Sequence, residues 1–201
     1  MEIKCSKEEC DGECPEQVID MINEVLSNRN LIVYPTETIY GIGGDPFNES
    51  VIKKIKEVKK APLDKKISVA YSSLEQASEY LDIPDLAWGL GGEFLPGPLT
   101  IVVETDDGTE GIRVPDHPMA QAIIKDFGPI TSTSANVHGR PDPIDVDTSK
   151  IQLGDGITLY VNCGNCKYGM GTTVVKITDK LEILREGVVE REDLEEKWKV
   201  I

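Results

Sequence analysis

The segment from Pro35 to Gly43 carries the residue types best suited to bind a small polar ligand. Hydroxyls, a carboxylate and glycines directly follow the strand-like run Leu31 to Tyr34. A strand that ends in a polar, glycine-bearing loop is where open α/β sheets hold small ligands. A plain strand-to-loop turn has the same composition, so this segment alone leaves both interpretations open.

Side chains that can bind phosphate or carboxylate recur along the rest of the chain. Such a set suits a reaction in which the protein positions two anions and offsets developing charge without becoming covalently attached. Adenylation is a reaction of this kind: an oxygen nucleophile attacks the α-phosphate of ATP, pyrophosphate leaves, and cations with Mg²⁺ offset the charge on the phosphoryl oxygens. The candidate residues are Lys59, Arg113, Arg185, Thr36, Ser134 and Asn136.

Other routes to catalysis have little support. The chain has no Ser-His-Asp order, no G-x-x-x-x-G-K-[ST] loop and no H-E-x-x-H motif. His117 and His138 are the only histidines. His117 lies between Asp116 and Pro118 at a predicted helix start, which favours a capping role over acid/base catalysis.

The composition indicates one acidic domain with a basic island. The chain has 201 residues and a formal net charge of −15, which argues against a general nucleic-acid coat, so any contact with tRNA or double-stranded RNA must be local. Seven of the 21 Lys and Arg residues nevertheless fall between positions 53 and 66. This island suits either an anionic ligand or a solvated helix face.

The sequence also bears on location and on the five cysteines. It has no run of about 18 apolar residues and no signal-peptide core, so we expect a cytoplasmic protein without a membrane contact. In that compartment the cysteines should mostly be reduced thiols or metal ligands rather than disulfides. A Zn²⁺ site from Cys10, Cys14, Cys163 and Cys166 is one arrangement, but unligated thiols are the favoured interpretation.

Hydrophobic periodicity predicts a single α/β domain built on a twisted, open, mixed parallel and antiparallel sheet flanked by helices. An N-terminal extension (1–14) precedes the domain (15–190), and a helical tail (191–201) follows it. The stretch 139–156 is rich in Pro and Asp and is expected to be irregular, as either a lid or a surface loop. Predicted helices are 16–28, one marked by Val51 to Val58, 73–81 and 117–127; predicted strands are 31–35, 67–71, 99–105, 112–114, 130–133, 158–162, 172–178 and 181–185.

Four further segments, taken in order with Pro35 to Gly43, make a specific pattern. They are Phe94 to Thr100, Gly111 to Pro118, Thr133-Ser134-Ala135-Asn136 followed by Gly139, and Ile183 to Gly187. The ordered set resembles the YrdC-like family of threonylcarbamoyl-AMP synthases from about Leu31 to Gly187.

The resemblance implies a fold and a reaction. Members combine L-threonine, bicarbonate or CO₂, and ATP with Mg²⁺ into threonylcarbamoyl-AMP and pyrophosphate, and no tightly bound cofactor or protein-held metal is expected. A downstream transferase complex then modifies an adenosine beside the tRNA anticodon. By resemblance, Lys59 and Arg113 would be catalytic; Thr36, Arg113, Ser134 and Thr172 would hold threonine; and Lys59, Asn136 and Arg185 would contact ATP.

One departure from the family pattern keeps alternatives open. Members usually carry Lys-x-Arg-Pro, whereas this chain has Lys59-Lys60-Ala61-Pro62. The missing guanidinium would weaken anion binding unless Lys60, Lys65 or Lys66 replaces it. The alternatives are a non-catalytic RNA-binding module and a carbamoyl-adenylate domain like that of hydrogenase-maturation carbamoyltransferases.

Overall fold

A computed structural model describes residues 1–12, 14–106 and 108–201. Strands and helices alternate through most of this part of the chain, as the hydrophobic periodicity predicts. The strands are β1 Glu2–Lys4, β2 Ile32–Tyr34, β3 Gly41–Gly43, β4 Ser68–Ala70, β5 Leu99–Thr105, β6 Gly108–Arg113, β7 Ile130–Ser134, β8 Leu159–Asn162, β9 Thr173–Ile177 and β10 Leu181–Arg185. The helices are α1 Lys7–Asp11, α2 Glu16–Ser27, α3 Glu49–Lys59, α4 Leu74–Ser78, α5 Asp85–Phe94, α6 Pro118–Phe127, α7 Val146–Leu153 and α8 Arg191–Trp198.

All the described strands belong to one sheet with the order β1-β8-β2-β3-β7-β4-β6-β5-β9-β10. The pairs β1/β8, β2/β8, β4/β6 and β5/β9 are parallel. The pairs β2/β3, β3/β7, β4/β7, β5/β6 and β9/β10 are antiparallel. The prediction of a mixed sheet is confirmed.

Helices cover both faces of this sheet, and the alternation of side chains along β2 shows how. Ile32 and Tyr34 pack in one cluster with residues of α2 and α6. Leu31 and Val33 point the other way and pack with residues of α3, such as Ile55. Successive residues of a strand face opposite sides of a sheet, so both sides of β2 are buried.

Several elements differ from the prediction. The segment expected to be irregular contains α7, whose N-cap Asp145 accepts a hydrogen bond from the backbone N–H of Thr148 at 2.7 Å. α5 and β3 were not predicted, because both contain glycines that have low helix and strand propensity. Near the N-terminus, β1 forms an edge strand parallel to β8, with Ile3 opposite Val161.

The expectation that the cysteines are mostly not in disulfides holds for Cys5, Cys14 and Cys166, which are free, and is wrong for one pair. Cys10 and Cys163, 153 residues apart in the sequence, form a disulfide. The parallel pairing of β1 with β8 explains the approach, since the N–H of Cys5 donates to the Asn162 carbonyl at 3.0 Å, next to Cys163. Cys166 instead packs against a different hydrophobic cluster, so the zinc arrangement that the sequence analysis treats as the less favoured interpretation is not brought together.

No helix in the described residues is long and apolar enough to cross a membrane.

Candidate active site

One cavity of about 170 Å³ lies where the ends of several strands meet. Pairing of β3 with β7 sets Gly41 opposite Ser134, and pairing of β5 with β6 sets Thr100 opposite Arg113. These pairings bring together five of the seven residues that sequence reasoning selected. They are Thr36, Arg113, Ser134, Thr172 and Arg185.

The loop after β2 is fixed by the hydroxyl of Thr36. Its Oγ1 accepts hydrogen bonds from the N–H groups of Thr38 at 3.2 Å and Ile39 at 3.3 Å, and donates to the Ile39 carbonyl at 2.6 Å. The loop is buried although it is polar, and the next residue, Tyr40, joins it to the end of β7 by accepting from the N–H of Ala135 at 2.8 Å. Thr36 is therefore held in place on the cavity wall.

Arg113 forms a buried ion pair with Glu37. The two side chains are 3% and 2% exposed, and the Nη2 of Arg113 donates to Oε1 of Glu37. The other carboxylate oxygen accepts from the N–H of Asp116 at 3.2 Å, while Nη1 of Arg113 donates to the carbonyls of Gly97 and Val114. The guanidinium is charge-compensated and fixed by several elements before any ligand arrives.

Thr100 of β5, Thr172 just before β9 and Arg185 of β10 form a second wall. The hydroxyls of Thr100 and Thr172 are 2.8 Å apart, and Nη2 of Arg185 donates to the Thr172 carbonyl at 2.9 Å. Unlike Arg113, Arg185 has no carboxylate partner among the ion pairs of the described residues.

Lys59 and Asn136 lie behind the cavity rather than on its wall. Nζ of Lys59 donates to the carbonyls of Ser134 and Asn136, and to Oδ1 of Asn136 at 3.2 Å. The Ser134 hydroxyl also donates to Oδ1 of Asn136, at 2.6 Å, so both side chains lie on the same side of the chain. Burial, with a smaller contribution from Lys65, lowers the pKa of Lys59 to about 8.

The lysines of the basic island lie at different places in the fold. Lys65 and Lys66 line the cavity, whereas Lys60 lines a separate surface depression with Val137. With Arg113 and Arg185, these two lysines put four cationic side chains around a cavity whose described lining includes no carboxylate. The site is therefore built for an anionic ligand.

Neither histidine is placed to act as a general base in this cavity. The capping prediction for His117 is confirmed, because its ring accepts from the N–H of Met119 at 3.2 Å at the start of α6. His138 contacts Nζ of Lys65 at 3.0 Å. Its backbone N–H donates to the Lys59 carbonyl at 2.7 Å.

Sequence reasoning missed two contributors. Glu37 was noted only as a carboxylate in a polar loop, and its pairing with Arg113 spans 76 residues of sequence. Thr100 precedes the apolar run Ile101 to Val103 of β5, and a hydroxyl next to that run is the available signal.

A polar cavity at the strand ends of a mixed α/β sheet, ringed by cations, is suited to anionic small molecules. The Sua5/YciO/YrdC family model, described as telomere recombination, matches residues 24–187. The chain belongs to this family.

Relatives with assigned names agree with this placement. The chain is 30% identical to a threonylcarbamoyl-AMP synthase from Vibrio campbellii over 84% of this chain and 98% of the relative. It is 31% identical to a protein of the same name from Bacillus subtilis, over 85% of this chain and 54% of that one. The structure of Pyrococcus abyssi Sua5 complexed with L-threonine is similar with a TM-score of 0.90 at 27% identity, covering 98% of this chain and 60% of that chain. The chain thus spans less than two thirds of the last two proteins.

Proposed function

We propose that the chain is an L-threonylcarbamoyladenylate synthase, a nucleotidyltransferase that acts in tRNA modification. Its reaction is L-threonine, bicarbonate and ATP to threonylcarbamoyl-AMP, pyrophosphate and water. One observation carries the proposal: hydroxyls and cations from seven separate segments line a single cavity, in a chain whose relatives bear this name.

The threonine end of the site is assigned to the wall around Arg113. A guanidinium can bind the α-carboxylate of an amino acid through two parallel hydrogen bonds. Its pairing with Glu37 supports this role, because a fixed and partly neutralised guanidinium binds one small carboxylate without further reorganisation. Thr36 and Ser134 supply hydroxyls that fit the amino and hydroxyl groups of the substrate. Thr172 adds a third hydroxyl from the second wall, where it contacts the hydroxyl of Thr100, the sheet partner of Arg113.

The nucleotide end is assigned to the wall around Arg185. Lys65, Lys66 and Arg185 are cations without carboxylate partners among the described ion pairs, which suits the phosphates of ATP. Lys59 and Asn136 support the Ser134 backbone from behind. A phosphate that contacted Lys59 would have to replace one of its protein acceptors, which makes positioning its first role.

The chemistry then needs no covalent attachment to the protein. The threonine amine adds to CO₂ to form a carbamate, and a carbamate oxygen attacks the α-phosphorus as pyrophosphate leaves. Mg²⁺ accompanies the triphosphate and offsets its charge. The protein brings the carbamate and the α-phosphate together and stabilises the added negative charge.

The product is an activated carbamoyl donor, so the reaction that follows must be a transfer to a nucleophile. In this proposal the acceptor is an adenosine of tRNA, and the donor passes to a transferase complex in the cytoplasm. Any direct RNA contact would involve the exposed lysines of α3, such as Lys53, rather than the acidic remainder of the surface.

Pyrophosphate release from ATP tests the proposal. We expect release only when threonine and bicarbonate are both present, and a matched reaction with glycine in place of threonine serves as the specificity control. Release that depends on carbamoyl phosphate instead would favour a carbamoyl-adenylate domain. No turnover, together with RNA binding that falls steeply with salt, would favour an RNA-binding module.

A further inference from the structure

Four of the five cysteines converge at the edge of the sheet, away from the cavity. Cys5 follows β1, Cys10 lies in α1, Cys14 precedes α2 and Cys163 follows β8. The sulfur atoms of Cys5, Cys10 and Cys163 all lie within 4.8 Å of one another. Cys10 and Cys163 are 153 residues apart in the sequence, so it is the fold that brings these sulfur atoms together.

Cys14 lies beside this group. Cys5, Cys14 and Cys163 pack against the same hydrophobic cluster, to which α2 and α6 contribute. The Sγ of Cys14 lies 3.4 Å from the Glu9 carbonyl, in the turn that carries Cys10.

The spacing fits a tetrahedral metal site. A zinc–thiolate bond is about 2.3 Å long, so ligating sulfurs of one tetrahedron lie about 3.8 Å apart. Three of the sulfurs lie within 4.8 Å of one another, which is close to that spacing. Two of these sulfurs, those of Cys10 and Cys163, form the disulfide and would become thiols when it is reduced.

We propose that the reduced protein binds one Zn²⁺ through Cys5, Cys10, Cys14 and Cys163. A dithiol reductant converts the disulfide to two thiols by supplying two electrons and two protons, and becomes a disulfide itself. Metal binding then displaces protons from the four thiols and leaves the zinc oxidation state unchanged. The site needs Cys5 and does not use Cys166.

Such a site would connect the N-terminal segment to the cavity. Tyr40 lines the cavity, and its hydroxyl accepts from the N–H of Cys163 at 3.1 Å and donates to the Gly164 carbonyl at 2.7 Å. A metal at Cys163 would fix the loop that holds Tyr40. Its role is therefore structural, and catalysis does not depend on an open coordination position.

The experiment measures how much zinc each chain binds. The protein is purified with a dithiol reductant, and the reductant is then removed in the absence of oxygen. We expect about one Zn²⁺ per chain, five titratable thiols after denaturation with a chelator, and an intense thiolate-to-metal absorption band when Co²⁺ replaces zinc. Cys5→Ser and Cys14→Ser should each lower zinc content at least fivefold. Cys166→Ser is the matched control and should leave it unchanged.

Three outcomes would overturn the proposal. One is fully reduced protein that binds no Zn²⁺ when the metal alone is added. Another is a Cys10–Cys163 disulfide that survives excess dithiol, leaving three thiols. The third is loss of zinc in Cys166→Ser but not in Cys14→Ser. The Co²⁺ spectrum of the unaltered protein counts its thiolate ligands, so the test stands even if a variant fails to fold.

Discussion

The two walls of the cavity hold their cations in different ways. Arg113 is buried and paired with Glu37, which is also buried. Lys65, Lys66 and Arg185 face the same cavity without a carboxylate partner among the described ion pairs. Both walls would attract an anion. The charge of Arg113 is already compensated by Glu37, whereas in the described part of the chain the charges of the other three cations are not.

The difference matches the two substrates of the proposed reaction. An amino acid carries one carboxylate, and a guanidinium already neutralised by Glu37 can bind it without attracting a polyphosphate strongly. A triphosphate carries several charges and needs cations whose charge is not yet compensated. We therefore expect the amino-acid carboxylate to bind at Arg113, whose charge is compensated, and the triphosphate to bind at the uncompensated cations.

The largest effect is expected from Glu37→Ala, which leaves Arg113 buried and unpaired. We expect the free energy of unfolding to fall by about 3–5 kcal/mol, because an uncompensated charge is costly in the interior. Denaturant titration measures it. Glu186→Ala is the matched control, since it breaks an ion pair with Arg191 that is about half exposed, and should leave the midpoint nearly unchanged. If Glu37→Ala lost no more stability than Glu186→Ala, groups other than Glu37 would be stabilising the charge of Arg113.

The next largest effect should come from removing uncompensated charge. We expect Lys65→Ala combined with Lys66→Ala to lower kcat/KM for ATP at least about 100-fold, or about 2.7 kcal/mol, with little change in stability. Lys60→Ala is the control, because Lys60 lines a different depression. Steady-state pyrophosphate release measures both. A loss as large in Lys60→Ala would show that charge alone, and not its position, matters.

The sequence predicted this division only in part. Cations and hydroxyls could be recognised by type, and α6 and β5 by their periodicity and caps, because these signals are local. The pairing of Glu37 with Arg113 depends on where β2 and β6 end in three dimensions, which no local pattern encodes. The same holds for the two lysines that reach the cavity and the one that does not.

Arg113→Lys should separate the substrates. A lysine keeps the charge opposite Glu37 but cannot form two parallel hydrogen bonds with a carboxylate. We expect KM for threonine to rise about tenfold, and KM for ATP to change less than about threefold. Initial rates at varied threonine and varied ATP give both constants. Equal increases would move Arg113 to the nucleotide wall.

A smaller effect is expected at Lys59, on the way the free energy of unfolding changes with pH. Its pKa is about 8 in the folded chain, below the ordinary value of 10.5, chiefly because it is buried. Between these values the unfolded chain binds more protons, so this residue makes stability rise with pH. We expect the unfolding free energy of the parent, relative to Lys59→Met, to increase by about 1 kcal/mol from pH 7.5 to 9.

Chemical denaturation at several pH values measures that difference. Lys60→Met is the matched control, because Lys60 is the exposed neighbour in sequence and should give a flat difference. A difference for Lys59→Met that falls as pH rises would mean that the folded state favours the charged amine. In that case the hydrogen bonds to Ser134 and Asn136 outweigh burial.

The smallest effect is expected from restoring the guanidinium that the family pattern carries at position 61. Lys65 and Lys66 already supply positive charge to the cavity, so Ala61→Arg should change kcat/KM less than about threefold. In the Lys65→Ala, Lys66→Ala background the same change should recover at least about tenfold, whereas Ala61→Met, similar in length but uncharged, should recover none. A tenfold gain in the parent chain would mean that nothing compensates for the missing arginine. An inactive parent that Ala61→Arg cannot rescue would instead favour the RNA-binding alternative over catalysis.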